Sequence, residues 1–225
     1  MREPIVTNTL SQMKIVSRIA DAVSGYNRAR KYALFLECLK PTQSDKLLDV
    51  GYADQEYSLN DNYIEKHYPH PNNITALGIL EPSQFKIRYP EVVTVRYDGS
   101  TFPFDNGQFE IGCSNAVLEH VGDTSTQTLF LSELTRTCKR VFVTTPNRFF
   151  PIETHTRVPL LHWLPKAWFD RVLLLLGKSW ATGNYMNLLS ERDLKRLLNR
   201  ADVIHYKIFR NRYFLFTLDF VVICE

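Results

Sequence analysis

The chain has 225 residues, 44% of them hydrophobic and 23% charged, with a net charge of +3. Such a length and composition suit one globular domain with a sizeable core. So small a charge, with Lys and Arg scattered, excludes an electrostatic case for nucleic acid. A membrane span needs about 20 apolar residues, and the run Val172 to Leu176 holds only five.

The polar N-terminus carries apolar residues only at helical spacing, so no secretory signal is expected. Ile15, Val16, Ile19 and Val23 mark a first helix over 10–24, interrupted at Gly25. Tyr32, Phe35, Leu36 and Leu39 mark a second, stopped by Pro41. Both precede any strand, so they pack on a sheet edge or cover a ligand. The one dense basic group, Arg28, Arg30 and Lys31, reads as a solvated helix face.

Strands follow at Lys46 to Val50, Ile74 to Leu80, Val92 to Val95, Glu110 to Ser114 and Arg140 to Thr144. A short helix at Ile64 to Tyr68 ends at Pro69. A stronger one at Thr124 to Lys139 sets Leu129, Phe130, Leu134 and Cys138 on one side. Strands alternating with helices imply a parallel sheet with right-handed crossovers. Ser190 with Asp193 reads as a helix N-cap and its partner, ahead of the stripe Leu194, Leu197, Leu198 and Ala201. Tyr206 to Phe209 and Leu215 to Cys224 close the chain as two strands. The expectation is an α/β, Rossmann-like three-layer sandwich: a mostly parallel seven-stranded sheet with helices on both faces. It forms a single domain over 1–225, with N-terminal helices in 1–40 and a lid-like insertion over 146–189.

That insertion holds Pro146, Pro151, Pro159 and Pro165, three tryptophans and the apolar segment Trp168 to Leu176. It is long for a connection, and such segments are often lids. The plainer reading of its apolar run is a core helix covering the sheet. The sharper one is an apolar face for a lipid-linked substrate or peripheral membrane contact. Cys38, Cys113, Cys138 and Cys224 lack metal-ligand spacing, and no metal is implied. They read as small buried thiols in a reducing compartment, the cytoplasm by default.

The stretch Arg96 to Val121, RYDGSTFPFDNGQFEIGCSNAVLEHV, concentrates the chemistry. An Asp-Gly turn, a Phe-Pro-Phe clamp and an Asp-Asn-Gly turn lead into a strand that ends in Ser114-Asn115-Ala116. Polar and small residues at strand ends matter, because ligands of open α/β sheets sit at the carboxyl edge. With Asp49-Val50-Gly51 before it and Thr144-Thr145-Pro146-Asn147 after it, this order resembles class I S-adenosylmethionine-dependent methyltransferases. Within them it is similar to the type 11 methyltransferase-domain group, over about residues 45–200. The stretch TPNRFFPIETHTRVPLLHWLP is similar to a subgroup of bacterial methyltransferase-like proteins that share an altered first loop.

The resemblance implies S-adenosyl-L-methionine as cofactor, with Asp49, Gly51 and Tyr52 at its methionine part. The family's Gly-x-Gly-x-Gly stands here as Gly51-Tyr52-Ala53-Asp54-Gln55, so only the first glycine remains. A ribose-binding acid is implied at the end of the second strand. Leu80 holds that position and Glu81 follows it, so Glu81 is either the ribose ligand or a solvated turn carboxylate. Asp98 would accept from the adenine amino group, as an acceptor-only carboxylate can, beside the Gly99 N–H. Ser114 and Asn115 would face the sulfonium and the substrate. For a general base, His155 is the first candidate and His120, with an ordinary pKa near 6.5, the second. His120 equally fits a structural role in the loop. The implied activity is methyl transfer to a small molecule, sugar or lipid-linked intermediate. The alternative is a catalytically inactive, methyltransferase-like binding or scaffolding protein. A nicotinamide oxidoreductase is disfavoured, since the first turn lacks the needed glycines. Nothing in the sequence fixes an oligomeric state.

Overall fold

A computed structural model describes residues 24–152, 160–183 and 186–225. Its centre is a seven-stranded sheet: β1 (Leu47–Val50), β2 (Ile74–Gly78), β3 (Val93–Arg96), β4 (Phe109–Asn115), β5 (Cys138–Pro146), β6 (Tyr206–Tyr213) and β7 (Phe216–Cys224). The order is β3-β2-β1-β4-β5-β7-β6. The first five strands run parallel, β7 lies antiparallel to β5, and β6 antiparallel to β7. The order reverses direction between β1 and β4, the switch point where an open sheet leaves a crevice.

Two cores flank the sheet, and period-two alternation assigns residues to them. Leu48 and Val50 of β1 and Phe220 and Val222 of β7 meet α4 (Thr124–Thr137) and α6 (Glu191–Arg200). Leu47, Val221 and Ile223 point the other way. They pack on Phe35 and Leu39 of the helix through residues 24–39 (α1) and on Phe85 of α3 (Ser83–Arg88). The short α2 (Tyr63–His67) lies between β1 and β2 in the chain.

Local signals explain the helix ends. Asp123 caps α4, its Oδ1 accepting from the Ser125 and Thr126 backbone N–H groups at 3.0 Å each. Ser190 and Asp193 form a reciprocal capping box at α6. The Phe102-Pro103-Phe104 clamp is held from α4: Arg136 donates to the carbonyls of Phe104 (2.8 Å) and Phe102 (3.0 Å). Glu133 accepts from the Phe102 N–H at 2.7 Å.

Three expectations need correction. Gly25 does not interrupt a helix; it lies within α1. Leu129 is exposed, and the buried side of α4 carries Gln127, Phe130, Leu131, Glu133, Leu134 and Thr137. The apolar segment of the insertion does form a helix, α5 (Lys166–Leu175), but it does not cover the sheet. Only Phe169 and Leu173 are buried, in a small cluster with Ala181 and Met186, because α4 and α6 already occupy that face. The expected first helix before residue 24 lies outside the described residues.

Candidate active site

A cavity of about 190 Å³ opens at the carboxyl ends of β1 and β4. Asp49, Val50 and Gly51 line it from β1, and Asn115, Ala116 and Val117 from the exit of β4. Arg28, Lys31, Tyr32 and Phe35 of α1 close it.

Gly51 is required here by packing as well as conformation. Its φ is +108°, and a Cβ would meet Val117 Cγ2 at 2.3 Å. The close approach that excludes a side chain therefore comes from Val117. Asn115 is oriented by Thr144, whose hydroxyl donates to Asn115 Oδ1 at 2.7 Å. Ser114 is fully buried, and its hydroxyl donates to the Val50 carbonyl at 3.1 Å. Its side chain ties β4 to β1 instead of facing the cavity.

The electrostatics of the cavity are set by buried titratable groups. Asp49 is 8% exposed and Glu65, from α2, 6%. Among the described residues no N–H or hydroxyl of another residue reaches either Glu65 oxygen; its one side-chain hydrogen-bonding neighbour is the Asp49 carboxyl. Two acceptor-only groups can meet there only with a proton between them. Burial pushes Asp49 up to about 6, against the pull of a Glu65 hydrogen bond and the Arg28 charge. Burial and the neighbouring Asp49 carry Glu65 well above the carboxylate range.

On the other wall, Lys31 is 7% exposed and pairs with Asp219 of β7 at 3.3 Å. Burial lowers the Lys31 pKa, and Asp219 opposes that. Asp219 also accepts from Asn27 (2.8 Å) and Asn211 (2.9 Å), and Lys31 Nζ reaches Thr144 Oγ1 at 3.5 Å. A polar chain thus runs from β7 through α1 to Asn115. The basic group on α1 is not a solvated face: Lys31 is buried, Arg28 lines the cavity, and only Arg30 is exposed.

Side chains hold the glycine-poor loop after β1. Asn62 accepts from the Ala53 N–H at 2.8 Å and donates to its carbonyl at 2.9 Å. Asp54 Oδ1 accepts from the Gln84 and Phe85 N–H groups at 2.7 and 3.0 Å. Tyr52 turns inward, 5% exposed, with its ring centroid 4.7 Å from that of Phe85 and its hydroxyl donating to the Leu80 carbonyl at 2.5 Å. It does so over Gly78, where a Cβ would meet the ring at 2.5 Å.

Next to this, Glu81 is exposed and lies 3.5 Å from Arg96. Asp98 is exposed too, and its Oδ1 accepts from the Ser100 N–H (2.9 Å) and hydroxyl (2.5 Å). Those bonds hold its pKa below the usual value. Gly99 has φ +88°, so the Asp-Gly turn needs its glycine. His120 is half-buried, its Nε2 4.0 Å from the fully buried Glu119, and does not line the cavity. Glu119 Oε2 accepts from Thr145 Oγ1 at 3.1 Å. His155 lies outside the described residues.

No family model matches the sequence, and no curated protein matches it at a significant level. Solved structures do match. A Burkholderia thailandensis 1,6-didemethyltoxoflavin-N1-methyltransferase, with 1,6-didemethyltoxoflavin and S-adenosylhomocysteine bound, aligns over 99% of this chain and 89% of its own. The TM-score is 0.54 at 15% identity. A geranyl diphosphate C-methyltransferase from Streptomyces coelicolor aligns over 86% and 78%, with TM-score 0.50 and 13% identity. A SAM-dependent methyltransferase from Methanosarcina mazei aligns over 81% and 92%, with TM-score 0.50 and 16% identity. This is the class I methyltransferase fold.

On that fold, Asp49, Gly51 and Asn115 come together in one cavity. Glu81, Asp98 and Gly99 follow at the neighbouring strand ends, and the side chains of Tyr52 and Ser114 are committed to packing. Sequence reading missed Arg28, Lys31, Tyr32 and Glu65. The cations on a helix preceding the first strand were the available signal for two of them. Among the described residues no group of three or more His, Cys, Asp or Glu could hold a metal ion, and no helix is long and apolar enough to cross a membrane.

Proposed function

We propose that this chain is an S-adenosyl-L-methionine-dependent methyltransferase acting on a small molecule, a sugar or a lipid-linked intermediate. The observation that carries the reading is the charge layout of the switch-point cavity: Asp49 on one wall, Arg28 and Lys31 on the other. An amino-acid end, with ammonium and carboxylate, complements those walls. A buried carboxyl held near 6 is desolvated and accommodates a cationic ligand group. Asp49 would hold the ammonium and Arg28 the carboxylate, with Lys31 already partnered by Asp219. Asp98 and the Gly99 N–H would take the adenine edge, and Glu81 the ribose.

When bound, the cofactor supplies an activated methyl group. The chain supplies alignment, which replaces a bimolecular encounter. Asn115, fixed by Thr144, would orient the acceptor at the end of β4. A general base is required only for a hydroxyl acceptor, with His155 first and His120 second. A cytoplasmic setting accords with four unpaired cysteines.

Calorimetric titration with S-adenosylhomocysteine tests this. We expect one site, weakened by Asp98→Ala with no change in unfolding midpoint, since Asp98 is exposed. Absence of heat from folded protein at high micromolar ligand would overturn the reading. Unchanged affinity in Asp98→Ala would remove the adenine assignment alone.

A further inference from the structure

A second cavity, of about 460 Å³, lies between α4, α6 and residues 162–169 and 186–189. It shares no lining residue with the first. The turn Leu118–His120 stands between them, and its Glu119 carbonyl accepts from the Asn187 N–H at 2.7 Å.

Arg148, Lys166, Arg196 and Arg200 face this cavity against Asp123 and Asp193. Both carboxylates are already engaged. Asp123 caps α4, and Asp193 accepts from the Ser190 N–H and hydroxyl at 3.2 and 2.6 Å. Lys166 is paired with Asp170 at 3.0 Å, and Arg196 stands 3.8 Å from Asp193. The guanidinium groups of Arg148 and Arg200 make no hydrogen bond or ion pair among the described residues. The Arg148 charge acts on Asp193 without a hydrogen bond to it, so both forks keep their donors for a further acceptor, and a guanidinium matches a phosphate with paired hydrogen bonds. Phe169, Leu189 and Leu197 supply an apolar floor, and the volume falls in the range of small-molecule sites, about 300–1,000 Å³.

We propose that this cavity is a second ligand site, for a molecule bearing a phosphate or diphosphate and an apolar portion. The phosphate comes either from a free metabolite or from a lipid headgroup. The same segment presents an outer face that fits the second source. Trp168 is 59% and Leu175 88% exposed, flanked by Leu174 and Leu176. The Arg171 guanidinium lies 5.4 Å from the Trp168 ring centroid. Aromatic and aliphatic side chains with basic neighbours suit an anionic lipid surface.

The test uses two probes on the whole chain: inorganic pyrophosphate by calorimetry, and flotation with phosphatidylcholine vesicles with or without phosphatidylglycerol. Arg148→Ala/Arg200→Ala should weaken the binding observed by at least about tenfold. Arg196→Gln/Arg200→Gln, at two exposed positions, provides a second variant should the first fail to fold. Pyrophosphate binding lost in the variants supports the site with a free phosphate ligand. Flotation only with phosphatidylglycerol, lost in the variants, supports the headgroup source. Binding of neither probe, or binding that the variants leave unchanged, overturns the proposal. Titration with S-adenosylhomocysteine should be unaffected by these variants, so this test stands apart from the cofactor reading.

Discussion

Asp49→Asn replaces one carboxyl oxygen with an amide nitrogen at the end of β1. In the native chain Asp49 is 8% exposed, and burial holds its pKa at about 6, against an ordinary 3.8. The folded value lies above the unfolded one, so between the two the folded state keeps a proton that the unfolded chain releases. The associated stability is complete below about pH 3.8 and is lost as the pH climbs through about 6. That interval corresponds to about 3 kcal/mol at about 1.4 kcal/mol per pH unit. Asparagine does not titrate. The variant should therefore be more stable than the native chain by about 3 kcal/mol near pH 8, and should lose that advantage near pH 4. For a domain of this size the gain corresponds to a rise of roughly 6–12 °C in Tm. Urea unfolding across that pH range gives the comparison. A stability difference equal at both ends, or a loss near pH 8, would refute the reasoning. The same variant should bind S-adenosylhomocysteine more weakly, because a neutral amide replaces the ammonium's counter-charge. Stability gained with function lost is the usual sign of a group retained for ligand binding.

Lys31→Met should destabilise the chain by about 3 kcal/mol, the lower end for breaking a buried pair, because Asn27 and Asn211 still donate to Asp219. A change below about 1 kcal/mol in chemical unfolding would show that the pair contributes little. Gly78→Ala should cost about 1–3 kcal/mol by overpacking against Tyr52, and adding Tyr52→Leu should recover part of it. A tolerated Gly78→Ala would mean that the ring moves away freely.

The strands were legible because their apolar runs are short, alternating and bounded by turn residues. The Ser190 and Asp193 box was legible because both halves lie within four residues. The clamp at Phe102 to Phe104 was legible as a motif, but its grip by Glu133 and Arg136 depends on tertiary placement. Lys31 read as a solvated cation because its partner, Asp219, lies at the far end of the sequence. The apolar run of α5 read as a sheet-covering helix. The two faces were already filled by α1 and α3 and by α4 and α6, and nothing local records that. The loss of glycines after Gly51 was visible. The compensation was not: Tyr52 needs the bare Gly78 opposite, and Glu65 meets Asp49 only once α2 folds back on β1.

The cavity between β1 and β4 is the proposed cofactor site. A crystal structure with S-adenosylhomocysteine tests it most directly. It should place the ligand's amino group against Asp49, its carboxylate toward Arg28 and its adenine beside Asp98. Ligand bound elsewhere on the molecule, with the β1–β4 cavity empty, would contradict it.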